Sequence, residues 1–238
     1  MPLINVYSFT SAGPRVTNQD SILVFDIPNR GLLCCVADGV GGNQGGETAS
    51  KMAVDIISQT LTQNPTLTLS EAIIIAHESI LSIADKNESL SGMATTITAV
   101  IINDNTLELI NCGDSRAYIL RGNGLQQLSQ DHSEVARLLK EGRLTPETAI
   151  DYPRKNILES ALGAHKPLQL HEIKFNLELH DRVVLMSDGV SSVVNKKEFR
   201  DLSKKYINLN EFGTALTNYT ETKGTNDNYS LIIAQIDY

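Results

Sequence analysis

The chain has 238 residues, 41% of them hydrophobic and 20% charged, enough for a sizeable core without requiring two domains. A net charge of -8 and a pI of about 5.1 offer no basic footprint for nucleic acid or an anionic membrane surface. No apolar run approaches the roughly 20 residues that span a bilayer, and Met1-Pro2-Leu3-Ile4-Asn5 lacks the charged start of a signal peptide.

Along the chain, runs rich in Val, Ile, Leu and Tyr between Gly, Asn and Asp predict strands over 3–10, 21–27 and 31–37. Helical spacing follows over 47–62 and 70–86; in the second, Ile73, Ile74, Ala76, Ile80, Leu81 and Ala84 recur at the helical period. Strands are predicted again over 95–102, 106–111, 117–121, 168–175 and 182–187. Helices over 195–204 and 210–222 and a last strand over 229–236 complete the order. Strands grouped with strands point to antiparallel sheets, and the expected fold is α+β, two packed antiparallel sheets flanked by helices. The segment 133–156, with Pro146, Pro153 and several charges, breaks the strand rhythm and reads as a flap with short helical pieces. No linker, low-complexity tract or tandem repeat interrupts 1–238, which is read as one domain. Cys34 and Cys35 are neighbours in an extended run and point to opposite faces, so they do not bridge; with Cys112 they read as buried small hydrophobes of a cytoplasmic protein.

The chemistry begins with an echo. Leu32-Leu33-Cys34-Cys35-Val36-Ala37 runs into Asp38-Gly39-Val40, and Val183-Val184-Leu185-Met186-Ser187 runs into Asp188-Gly189-Val190. Asp-Gly alone is a hairpin turn, but here loop and helix follow each copy rather than a second strand. A short carboxylate fixed at a strand end suits metal ligation, and the following Gly lets a backbone carbonyl approach an ion. Asp20, Asp114 and Asp227 sit at other strand ends; each alone is an ordinary turn residue. Together they form a carboxylate set that repels itself unless cations neutralise it. All-oxygen ligands favour magnesium, manganese or calcium over zinc, and His77, His132, His165, His171 and His180 show no zinc-type spacing.

Eight motifs in order carry a family resemblance. They are Gly13-Pro14-Arg15-Val16-Thr17-Asn18-Gln19-Asp20, Val36-Ala37-Asp38-Gly39-Val40-Gly41-Gly42, Met93-Ala94-Thr95-Thr96 and Asn111-Cys112-Gly113-Asp114-Ser115-Arg116-Ala117-Tyr118. Leu128-Ser129-Gln130-Asp131-His132-Ser133, Asn156 with Ala161-Leu162-Gly163, Ser187-Asp188-Gly189-Val190 and Asp227-Asn228-Tyr229-Ser230 follow. The chain resembles the protein phosphatase type 2C family of metal-dependent phosphatases, in its compact bacterial form. The resemblance implies a serine/threonine phosphoprotein phosphatase with two tightly bound manganese or magnesium ions and a weaker third. It implies that Asp38 bridges two ions, with the Gly39 carbonyl on one and Asp188 and Asp227 completing the other's shell. Asp20 supports the site through bound water, Asp114 with Asp188 holds the third ion, and Arg15 grips the substrate phosphate. A water shared by two cations is deprotonated near neutral pH and attacks phosphorus in line. The implied partners are phosphorylated Ser/Thr proteins, substrates of a Hanks-type kinase, met by a monomer.

The sequence departs from the family in three places. Gln19 replaces a frequent Glu, which implies weaker metal affinity; Val40 replaces the histidine of many animal members, so no general acid is assigned; Ala94 replaces a Gly, a packing change. His132 reads as part of a structural turn, Arg116 as support for the Asp114 loop, and Lys196, Lys197, Lys204 and Lys205 as a solvated helix face. The stretch 39–46 fits no nucleotide-binding pattern: Gln44 breaks the dinucleotide spacing, and Glu47 follows where a P-loop needs Lys. Two alternatives use the same residues: a non-catalytic phosphoprotein-binding homologue and a hydrolase of small phosphoesters.

Overall fold

The computed structural model describes residues 3–40 and 45–237. Gly41-Gly42 of the second motif and Asn43-Gln44 of the glycine-rich stretch therefore lie outside the described residues. Strands β1 (Leu3–Ser11), β2 (Asp20–Ile27) and β3 (Gly31–Val40) lead into helices α1 (Gly45–Gln63) and α2 (Leu69–Lys86). Next come β4 (Ala94–Thr95), β5 (Ile97–Asn103), β6 (Thr106–Cys112), β7 (Arg116–Arg121) and β8 (Gly124–Gln127). Helices α3 (Glu134–Lys140) and α4 (Pro146–Ile150) lie in 133–156, the segment expected to be a flap. The chain ends with β9 (His171–Asn176), β10 (Arg182–Met186), α5 (Asp188–Ser191), α6 (Lys196–Lys205), α7 (Leu209–Thr222) and β11 (Tyr229–Asp237).

Two antiparallel sheets form, ordered β2-β3-β5-β6-β9, with β4 against β3, and β1-β11-β10-β7-β8. Three apolar layers explain why the central strands read as unbroken hydrophobic runs. Cys35, Ala37 and Leu33 of β3 face α1 and α2, whereas Cys34 and Val36 pack between the sheets against Val183, Leu185 and Ile232. On the far side, Val184, Leu231 and Ile233 meet Phe199 of α6 and Phe212 and Leu216 of α7. Both faces of each sheet are thus covered, so the polar alternation of a half-exposed antiparallel strand survives only in outer strands such as β8 and β9. The expected sandwich of two sheets between helices is the observed one, and the three cysteines are free and buried.

The structure also corrects several boundaries. The strand predicted from 168 begins at His171. β4, β8 and α5 span two, four and four residues, too few to show a period. The helix read from Ser70 starts at Leu69, because Thr68 and Glu71 close a capping box before it. Asn195 and Asn208 likewise cap α6 and α7 from outside. Among the described residues no helix is long and apolar enough to cross a membrane.

Candidate metal centre

Strand register brings the aspartates to one end of the sandwich. Asp20, the first residue of β2, pairs directly with Asp38 near the end of β3. Asp188 opens α5 two residues after β10, whose Met186 pairs with both Arg116 and Leu231. Asp227 precedes β11, and Asp114 lies in the turn between β6 and β7. All five predicted aspartates are therefore neighbours at the sheet mouth.

Their environments differ. Asp20 is buried, and its Oδ2 accepts hydrogen bonds from Ser187 Oγ (2.8 Å) and Ser230 Oγ (2.7 Å). Burial nonetheless pushes its carboxyl up to about 7, against the two serines and helped by the charges of Asp188 and Asp227. Burial raises Asp38 well above the usual carboxylate range, with the charges of Asp20, Asp188 and Asp114 adding to it. Asp188 is raised by burial too, with Asp38 opposing the shift and the charge of Asp227 adding to it. Asp114 is pushed up to about 7 by burial and by Asp188 and Asp131, while Arg116 opposes the shift.

Two buried carboxylate oxygens, Asp20 Oδ1 and Asp188 Oδ1, have no hydrogen-bond partner among the described residues. Among the described residues no three acidic, histidine or cysteine side chains already form an ion cage. Burial and the charges of neighbouring aspartates instead push Asp38, Asp114 and Asp188 toward holding their protons. A set with only oxygen donors, excess negative charge and orphaned acceptors fits a hard divalent cation, which would take the place of those protons. Gly39 fits the same reading for a reason the sequence does not show. It lies within β3, paired with Thr95, rather than in a turn. A Cβ there would collide with the Gly46 carbonyl and crowd that of Gln19, so only glycine lets α1 approach the strand end.

The surroundings hold these groups in place. Asp38 N–H donates to Thr96 Oγ1 (2.9 Å), which meets Ser115 Oγ at 2.8 Å beside Asp114. His132 is committed to the Asp114 loop: its N–H donates to Gly113 O (2.8 Å), and its Nδ1 accepts from Gly113 N–H (3.3 Å). Arg116 makes a forked pair with Asp131, its shortest contact 2.6 Å, and the pair lines the cleft beside Asp114. Arg15 is 55% exposed and lies on the site's rim, where Nη2 donates to Asp227 Oδ2 (3.0 Å) and Nε to Asn226 O (2.8 Å). Sequence reasoning assigned no part to Ser187, Ser230, Thr96 or Ser115, although each falls inside one of the quoted motifs. A cleft of about 410 Å³ runs from Asp114 and Asp188 along the flap, past Val135, Pro146, Ile150 and Lys155.

A sequence model described as Protein phosphatase 2C matches residues 15–226. Serine/threonine phosphatase stp of Listeria welshimeri is 32% identical over 229 residues, 93% of this chain and 91% of that protein. Protein phosphatase PhpP of Streptococcus pneumoniae is 30% identical over 236 residues, 96% of each. The S. agalactiae serine/threonine phosphatase structure superposes with a TM-score of 0.91 at 28% identity, covering 99% of this chain and 100% of that one. The catalytic domain of PstP, solved in complex with two manganese ions, superposes with a TM-score of 0.87 at 27% identity over 100% of both chains. With that family's model spanning most of its length, on the fold and strand-end aspartates just described, the chain belongs to the protein phosphatase 2C family.

Proposed function

We propose that this chain hydrolyses phosphoserine and phosphothreonine in proteins at the five-aspartate mouth, using two manganese or magnesium ions and a weaker third. It is a metal-dependent serine/threonine protein phosphatase, and the observation that carries the site is the convergence of Asp20, Asp38, Asp114, Asp188 and Asp227 with two orphaned buried oxygens. Asp38, the Gly39 carbonyl, Asp188 and Asp227 would hold the two tight ions, Asp114 with Asp188 the third, and Asp20 would act through bound water. Bound divalent cations acidify water near neutral pH and neutralise charge on phosphoryl oxygens.

The chain's own groups do the rest. Asp20 is anchored through one oxygen by Ser187 and Ser230, which leaves its other buried oxygen for bound water. Arg15 exchanges its contact with Asp227 for two phosphoryl oxygens, for which its planar fork is suited. No covalent phosphoenzyme is needed. Cys34, Cys35 and Cys112 are sealed in the core with their thiols raised by burial, and the His132 ring is occupied by Gly113.

The reading extends to a monomeric cytoplasmic protein, one catalytic unit over 1–238, that reverses a Hanks-type kinase and binds neither nucleic acid nor membrane. The acidic charge supports the last point. The decisive test is release of phosphate from para-nitrophenyl phosphate and a phosphothreonine peptide with manganese, with EDTA and with Asp38→Ala. Metal-dependent release, lost with chelator and variant, is expected. No release from folded protein at saturating metal would leave a phosphoprotein-binding module, and preference for free nucleotides a small-phosphoester hydrolase. Unchanged phosphosites in a strain lacking the gene would remove the kinase link.

A further inference from the structure

We propose that Asn228 is the positioning residue for the phosphate-gripping arginine, its carboxamide pinning the loop that carries Arg15; this rests on the reading of Arg15 given above. Arg15 lies between β1 and β2 in a segment, 12–19, without regular structure, and residues 13–17 are exposed. A long side chain on such a loop has many positions to sample, and binding phosphate would have to order both loop and side chain. Something must hold the loop beforehand.

Asn228 is placed to do so. It is 5% exposed, at the head of β11 and next to Asp227. Its Nδ2 donates to Ala12 O (2.9 Å) and Thr17 O (2.9 Å), one on each side of Arg15. Its Oδ1 accepts from Gln19 N–H (2.8 Å), at the entrance to β2. Two carbonyls and one N–H leave a single orientation for the amide, with both donor hydrogens used. Arg15 then folds over the same turn, through Asn226 O and Asp227 Oδ2. Gly13 (φ +57°) closes the other side: a Cβ there would collide with the Asp227 carbonyl, so loop and turn touch backbone to backbone. One buried side chain thus ties both flanks of the exposed arginine to the segment that also bears Asp227.

If Asn228 acts through Arg15, its loss weakens phosphate binding and spares the chemical step. With the intact chain in manganese, Asn228→Ala should raise KM for para-nitrophenyl phosphate and Ki for inorganic phosphate about tenfold, the worth of two donated hydrogen bonds. The kcat should stay within about twofold, and the manganese concentration for half-activation should not move. Arg15→Ala should raise KM and Ki at least as much, and the double variant no further, because each loss removes the same contact. Asn228→Ser, which keeps a short polar group in the same space, carries the test should the alanine variant not fold. A fall in kcat at unchanged KM, a shifted manganese midpoint, or losses that multiply with Arg15→Ala would overturn the proposal. Unchanged KM and Ki in Arg15→Ala itself would remove the reading of Arg15, and the inference with it.

Discussion

Asp38 feels the charges of Asp20, Asp188 and Asp114 together, whereas Asp114 is acted on by Asp188 and the Arg116–Asp131 pair. That difference separates their expected variants. Asp38→Ala or Asp188→Ala removes a central ligand, and turnover should fall by more than the ~100-fold that outer-shell changes cost. Asp114→Ala should keep two tight manganese sites in calorimetry while losing turnover only at limiting metal. Equal loss of tight binding in all three would contradict the scheme. The central pair was legible in the sequence because a strand run ending in Asp-Gly occurs twice. Asn228, Ser187 and Ser230 fell inside quoted motifs, but their parts were not legible: Asn and Ser are ordinary turn residues, and the Asn228–Ala12 bond joins positions 216 apart. Gly39 was picked out, but for its carbonyl rather than for the helix that packs on it.

Elements were legible where a period had room to repeat. α2 was found from its apolar spacing, yet its start was set by Thr68, whose hydroxyl accepts from Glu71 N–H (3.1 Å) while Glu71 returns to Thr68 N–H (2.7 Å). Thr68→Ala should therefore cost about 1 kcal/mol in thermal or urea unfolding and leave metal activation unchanged. The flap is held differently. Of its helices, α3 buries only Leu138 and α4 nothing. Glu134 instead gathers Tyr152 (2.6 Å) and Arg154 (2.7 Å), and Arg137 reaches Glu159 (2.6 Å). Contacts of this kind fix local order more than global stability. Glu134→Ala should speed amide exchange over 145–156 with the melting temperature scarcely changed. Slower exchange, or cooperative loss of the whole fold, would place the flap's anchor elsewhere.

For the molecule as a whole, the same carboxylates oppose folding when they lack cations. The Asp20 carboxyl sits at about 7 in the folded chain and near 3.8 unfolded, so the folded state binds the extra proton between those values. Stability without metal should then fall as pH rises from about 4 to 7 and level off above, with Asp20 alone worth about 4 kcal/mol across that window. Asp38, Asp114 and Asp188 are raised as well and act in the same direction. Cations reverse the sign, because they bind the ionised carboxylates and compete with the protons. The gain in melting temperature from manganese over EDTA should therefore be small at pH 5 and large at pH 7.5, and should shrink at pH 7.5 when Asp38 is replaced by Asn. A manganese gain that does not grow with pH would mean that these aspartates are already ionised without metal. The raised carboxylates and the cation site would then no longer be two views of one arrangement.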